Sequence, residues 1–150
     1  MKPRSALRRL LITAASAATL TSCVLAPGTA SLTFDGALAG QVDGPTVTCP
    51  PPASTGGDHS AMWVWTGQVG DRSVAVTATA LNLTGIPSAL LIRNDNTYWQ
   101  ATRDAVALPP GPGRFMATVS EKILHIEGIA KAMTPDTADV TIHGEMRCPD

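Results

Sequence analysis

Charge and aromatic side chains are scarce in this chain, and the usual signatures of catalysis are missing. Only 15% of the 150 residues are Asp, Glu, Lys or Arg, and 4% are Phe, Trp or Tyr. No Gly-x-Ser-x-Gly elbow is present, no Ser, His and Asp stand at recognisable spacing, and no glycine loop ends in a phosphate-binding Lys. His59 follows Asp58 in a polar loop, the ordinary setting of a solvated side chain. These absences predict a protein that is not an enzyme and carries no cofactor. Long charged segments of helical period are lacking too, whereas 13 Gly and 12 Pro punctuate the chain as turns between strands require.

What the chain does have is an address. Lys2, Arg4, Arg8 and Arg9 precede an apolar run from Leu10 to Leu25, and Leu20-Thr21-Ser22-Cys23 closes that run. A basic start, a short apolar stretch and small residues before a cut are the parts of a secretory signal. A Leu three places before the cut and a Cys just after it add the pattern of a bacterial lipobox. Residues 1–22 then read as a lipoprotein signal, and Cys23 as the acylated first residue of the mature protein. Two other readings stand beside it. An ordinary secretory signal would be cut after Ala30, with Gly28 and Ala30 as its small residues. A retained membrane span is the third, but the Ala-, Ser- and Thr-rich run is short of the ~20 apolar residues that a span needs. On the lipobox reading the product is exported, faces outward and is held at the membrane by acyl chains, and more than one chain is needed for a stable hold.

Removing residues 1–22 leaves seven basic against twelve acidic residues, a net charge of −5. Such a domain is poorly matched to phosphate backbones, so nucleic acid is not expected as a partner. No protein partner is indicated. The three cysteines fit the same address. If Cys23 carries lipid, Cys49 and Cys148 remain as a pair outside the cytoplasm, where disulfides persist. Metal binding by these thiols would need further Cys or His ligands at suitable spacing, and neither has them.

Residues 23–31 read as a tether and 32–150 as a single β domain. From Leu32 to Val42 the even positions are apolar or Gly, which predicts one half-buried strand with bulges or kinks at the glycines. Asp43-Gly44-Pro45 reads as a turn, and Val47 and Cys49 share the inner face of the next short strand. Ala61 to Leu81 is the clearest hairpin, with Gly70 opening a type II′ turn. Counting back from Val69 opposite Arg72 puts Trp65 against Val76, Trp63 against Ala78 and Gly67 against Val74, large opposite small. The tryptophans are then core residues; a ligand platform using Trp63, Trp65 or Trp99 is the competing reading. Strands follow at Ala89–Arg93, Thr97–Thr102 and Ala105–Leu108, with Tyr98 and Trp99 on opposite faces. A three-strand meander closes the chain. Its last strand alternates without a break, turning Val140, Ile142, Gly144, Met146 and Cys148 inward. Cys49 and Cys148 thus both point to the core, as a buried bridge requires. The predicted fold is all-β, an antiparallel sandwich or partly open barrel of about eight to ten short strands with one disulfide.

One constellation could carry chemistry. Keeping the inward sets of the last hairpin on one side allows a register with His125 opposite Glu145 and Glu127 opposite His143. The next register would set Glu127 against Glu145. The checkerboard of two His and two Glu reads as a solvated, charge-paired surface; its sharper reading is a weak Zn²⁺ or Cu²⁺ site or a pH-sensitive patch.

The lipobox, the Gly-Pro-Thr-Val-Thr-Cys run ending at Cys49, the stretch from Phe115-Met116-Ala117-Thr118 to Ile126-Glu127-Gly128-Ile129-Ala130, and the closing strand into Cys148 together resemble the small mycobacterial lipoprotein antigens of actinobacteria. The likeness covers about a third of the chain, mostly its ends. It implies an envelope protein of β-sandwich type with no enzyme activity, whose acylated N-terminus is sensed by host innate receptors. The expected function is a non-enzymatic, surface-displayed envelope lipoprotein; the alternatives are a carrier of a hydrophobic ligand and a secreted, non-lipidated protein.

Overall fold

A computed structural model describes residues 27–50, 61–80, 86–103 and 113–150. The signal, Cys23, His59 and the strand expected at Ala105–Leu108 lie outside these residues. The described part is all-β and closes into one barrel in chain order, from β1 (Gly28–Gly36) and β2 (Gly40–Thr48) through β3 (Ala61–Val69), β4 (Arg72–Ala80), β5 (Ala89–Asn94), β6 (Thr97–Thr102), β7 (Gly113–Ser120) and β8 (Ile123–Ala132) to β9 (Val140–Arg147). β1 pairs with β9 from Thr29–Arg147 to Gly36–Val140 and seals the ring. A ring of antiparallel neighbours needs an even number of strands; with nine, one parallel contact must occur. It is β6–β7, where Ala101 pairs with Gly113 and Thr102 with Arg114. β8 also reaches past β7 to pair Trp99 with Ala132.

Period-2 alternation does most of the building. The inner positions of β4, β8 and β9 are buried or half-buried, while their outer positions carry mostly small, polar or charged residues. Leu32, Val76, Leu124, Val140, Ile142 and Met146 are 0% exposed, so no water-sized void touches them, and the barrel interior is filled. Trp65 stacks in a tilted arrangement on Phe34, with ring centroids 6.0 Å apart. The β3–β4 register is Val69–Arg72, Gly67–Val74, Trp65–Val76 and Trp63–Ala78, as the turn predicts. Of the two turn residues only Gly70 has a positive φ (63°), the type II′ pattern.

Three expectations are corrected. Leu32–Val42 is a hairpin and not one strand: the chain reverses after Gly36 (φ 91°), and Phe34 pairs with Gly40. The reversal is silent in the pattern because the facing pairs Phe34–Gly40 and Leu32–Val42 keep even positions inside on both arms. Leu38, at the tip, folds in and is 1% exposed. Asp43-Gly44-Pro45 is not a turn but part of β2, which accommodates Pro45 in a stretch that has no β3 partner; β2 and β3 pair only at Val47–Trp65 and Thr48–Val64. The tether boundary also moves, since β1 begins at Gly28, and Gly28–Ser31 already pair with β2.

Candidate functional site

The end of the barrel at which β1 begins gathers the features with the clearest bearing on function. β1 lies between β2 and β9, and each of those strands ends one residue before a cysteine. Cys49 and Cys148 form the predicted disulfide, with Cα atoms 5.8 Å apart and 99 residues of separation. The bridge therefore straps the two neighbours of β1 together at its first residue. Gly28 fits against that strap because it has no side chain: a Cβ there would stand 3.2 Å from Cys49 Sγ and 2.5 Å from the Arg147 carbonyl oxygen. A groove of about 510 Å³ opens beside it, lined in part by Pro27, Lys122, Arg147 and Pro149. Lys122 Nζ crosses this groove to donate to the Pro149 carbonyl oxygen at 3.0 Å.

The His and Glu checkerboard exists in the preferred register, His125 opposite Glu145 and Glu127 opposite His143. Its chemistry is that of a paired surface. His125 Nδ1 lies 3.6 Å from Glu145 Oε2, while Arg147 Nη2 donates to Glu145 Oε1 at 3.1 Å. Glu145 is thus held by two cationic or potentially cationic neighbours at a half-exposed position, where such contacts contribute ~0.2–1 kcal/mol. No group of three His, Cys, Asp or Glu fit to hold a metal ion exists among the described residues.

The three tryptophans are not gathered at one site. Trp63 and Trp65 are 3% exposed and Trp99 is 1% exposed, all within the barrel wall's inner layer. Trp99 is fixed by its Nε1–H, which donates to the Ala138 carbonyl oxygen at 2.9 Å. The Trp63 Nε1–H is buried with no acceptor among the described residues, a local cost to folding. Trp65 borders a groove, the slit of about 450 Å³ where β2 and β3 part company. Its indole lies across Gly67, whose missing side chain makes the room. Tyr98, on the opposite face from Trp99, is 40% exposed.

Sequence reasoning missed one surface. Tyr98, Met116, Ile129 and Met133 are all 40% or more exposed and lie on the outer side of β6, β7, β8 and the turn that follows β8. Met116, Ile129 and Met133 lie on the β7–β8 hairpin and the turn after it, and the pairing of β6 with β7 and β8 brings Tyr98 beside them; alternation alone marks each as outward. No family model, no curated protein and no solved structure matches the chain.

Proposed function

We propose that the protein is an exported, non-enzymatic envelope lipoprotein, a filled β barrel held at the membrane by acyl chains on Cys23. The observation that carries this reading is where the barrel starts. A cut after Ala30 would take away Gly28, Thr29 and Ala30, which pair with Val47, Pro45 and Gly44 on β2. Ala30 also pairs with Met146 on β9 and is 5% exposed, so it belongs to the core. A cut before Cys23 leaves β1 whole and adds a linker of five residues, 23–27. The disulfide strap at Gly28 lies where pull from a membrane anchor would enter the fold, and it suits an oxidising compartment. The resemblance to small actinobacterial lipoprotein antigens favours the same address. A ligand carrier needs an enclosed apolar cavity, typically ~300 Å³ or more; the filled interior weighs against it.

The test is metabolic labelling with an alkyne fatty acid in an actinobacterial host. The wild-type chain should take up label and sediment with membranes, and Cys23→Ala should do neither. A wild-type product that starts at Ser31 and carries no label would overturn the proposal.

A further inference from the structure

The outward positions of β5 to β8 form one continuous grid. Arg93 pairs with Tyr98, whose carbonyl accepts from the Met133 N–H; Leu91 pairs with Gln100, and Gln100 with Lys131; Thr102 pairs with Arg114, and Arg114 with Ile129. Arg93, Arg114 and Lys131 are exposed cations with no carboxylate partner among the described residues. Between and beside them stand the exposed apolar groups Tyr98, Met116, Ile129 and Met133. Among the described residues, carboxylates border this face at Asp95, at Glu127, which pairs with Met116, and at Asp139, whose Oδ1 accepts from the Ala132 N–H. The surface from β9 round to β2 is more acidic: among its described outward strand positions Glu145, Asp35 and Asp43 are carboxylates, and the cation is Arg147, ion-paired with Glu145. A domain of net charge −5 thus sets three cations without carboxylate partners beside four exposed apolar side chains. Exposed apolar and cationic side chains interleaved on one face suit an anionic lipid surface, which takes the former at the headgroup boundary and attracts the latter.

We infer that the β5–β8 face rests on the anionic surface of the membrane to which the protein is anchored. This inference rests on the acylated-anchor reading, and the geometry permits it. β1 is three strands from β7 round the barrel, roughly 14 Å at the usual strand spacing. A five-residue linker reaches about 17 Å when extended. The domain lies on its side, with its acidic β9–β2 surface turned away from the lipid.

The methionines provide the readout. Met116 and Met133 lie on the proposed face at 65% and 58% exposure; Met62, 48% exposed, lies on β3, four strands from β7. The purified mature protein is placed in vesicles of phosphatidylglycerol with phosphatidylcholine and, separately, of phosphatidylcholine alone. It is then oxidised with dilute peroxide, and each methionine sulfoxide is followed by peptide mass spectrometry. Met116 and Met133 should oxidise roughly threefold or more slowly on the anionic vesicles, with Met62 unchanged. The Arg114→Gln, Lys131→Gln double variant, shown by its melting temperature to be folded, should lose that difference. Equal oxidation on both vesicles overturns the inference. So does protection that follows protein concentration instead of lipid charge, which would mark a face between two copies. Intact mass of the same sample reports acylation. A chain without acyl groups is oxidised with anionic vesicles added in excess; absence of protection there overturns the face assignment, and the mass alone overturns the anchor.

Discussion

The β8–β9 hairpin and the β2–β3 join are both antiparallel neighbours in the same barrel, yet they are held very differently. β8 and β9 pair over eight positions, from Ile123–Arg147 to Ala130–Val140. β2 and β3 pair over two, and beyond them a slit opens between Gln41–Pro45 and Trp65–Gln68. The difference lies in the residues. β8 and β9 alternate without interruption, so every inward side chain supports one register. β2 carries Gly40, Gly44 and Pro45 within nine residues, which give little to pack and, at Pro45, no N–H to share. A barrel can thus be closed while one seam stays thin, provided that something else ties it. Here β2 is held from its other side, by its pairing with β1 and by the disulfide one residue beyond it, which reaches across β1 to β9.

Cutting the disulfide should have the largest effect. The Cys49→Ser, Cys148→Ser variant frees a chain segment of 99 residues separation in the unfolded state, which on the chain-entropy model costs about 4–5 kcal/mol. Denaturant unfolding measures the loss. Hydrogen exchange should show it first in Gly40–Thr48, with β8 and β9 protected longest; uniform acceleration of all strands would break the comparison. Gly144→Ala strikes the dense region instead. Gly144 has φ 144°, and a Cβ there would press into the Ser31 carbonyl oxygen and the Leu32 backbone. The expected cost is about 3 kcal/mol, with the β1–β9 seam opening while β3–β4 is spared.

The two tryptophans sharpen the contrast at lower cost. Trp99→Phe removes the bond to Ala138 and leaves that carbonyl unmatched, for about 2 kcal/mol. Trp63→Phe, beside the thin seam, also removes a buried N–H that has no acceptor among the described residues, so the loss should be about 1 kcal/mol or less. Paired melting curves decide it; equal losses would contradict the assignment. The smallest effect belongs to the checkerboard. Glu145→Gln breaks contacts to His125 and Arg147 on a half-exposed surface and should cost no more than about 0.5 kcal/mol, with no change in melting on adding Zn²⁺.

The legible parts of the fold are those in which alternation and turn chemistry agree. Gly70 sets the β3–β4 register through Trp63 and Trp65, and the inward sets of β8 and β9 leave one register that avoids facing carboxylates. Cys49 and Cys148, the two cysteines that remain when Cys23 is given to lipid, share an inward parity, and they are bonded. What stayed hidden depends on closure. The Gly36 reversal preserves parity and so leaves no trace in the pattern. Pro45 reads as a turn wherever its strand's neighbours are unknown, and the thin seam that admits it is a property of the finished ring. The cationic, apolar face draws on β5 to β8 and appears only once β6 has paired with both β7 and β8.

The most direct measurement of the central claim is the intact mass of the protein extracted from membranes without reductant. The account predicts a chain that starts at Cys23, carries a diacylglycerol on that residue and is two hydrogens lighter than its dithiol form. A chain starting at Ser31, or one with Cys49 and Cys148 both free, would contradict it.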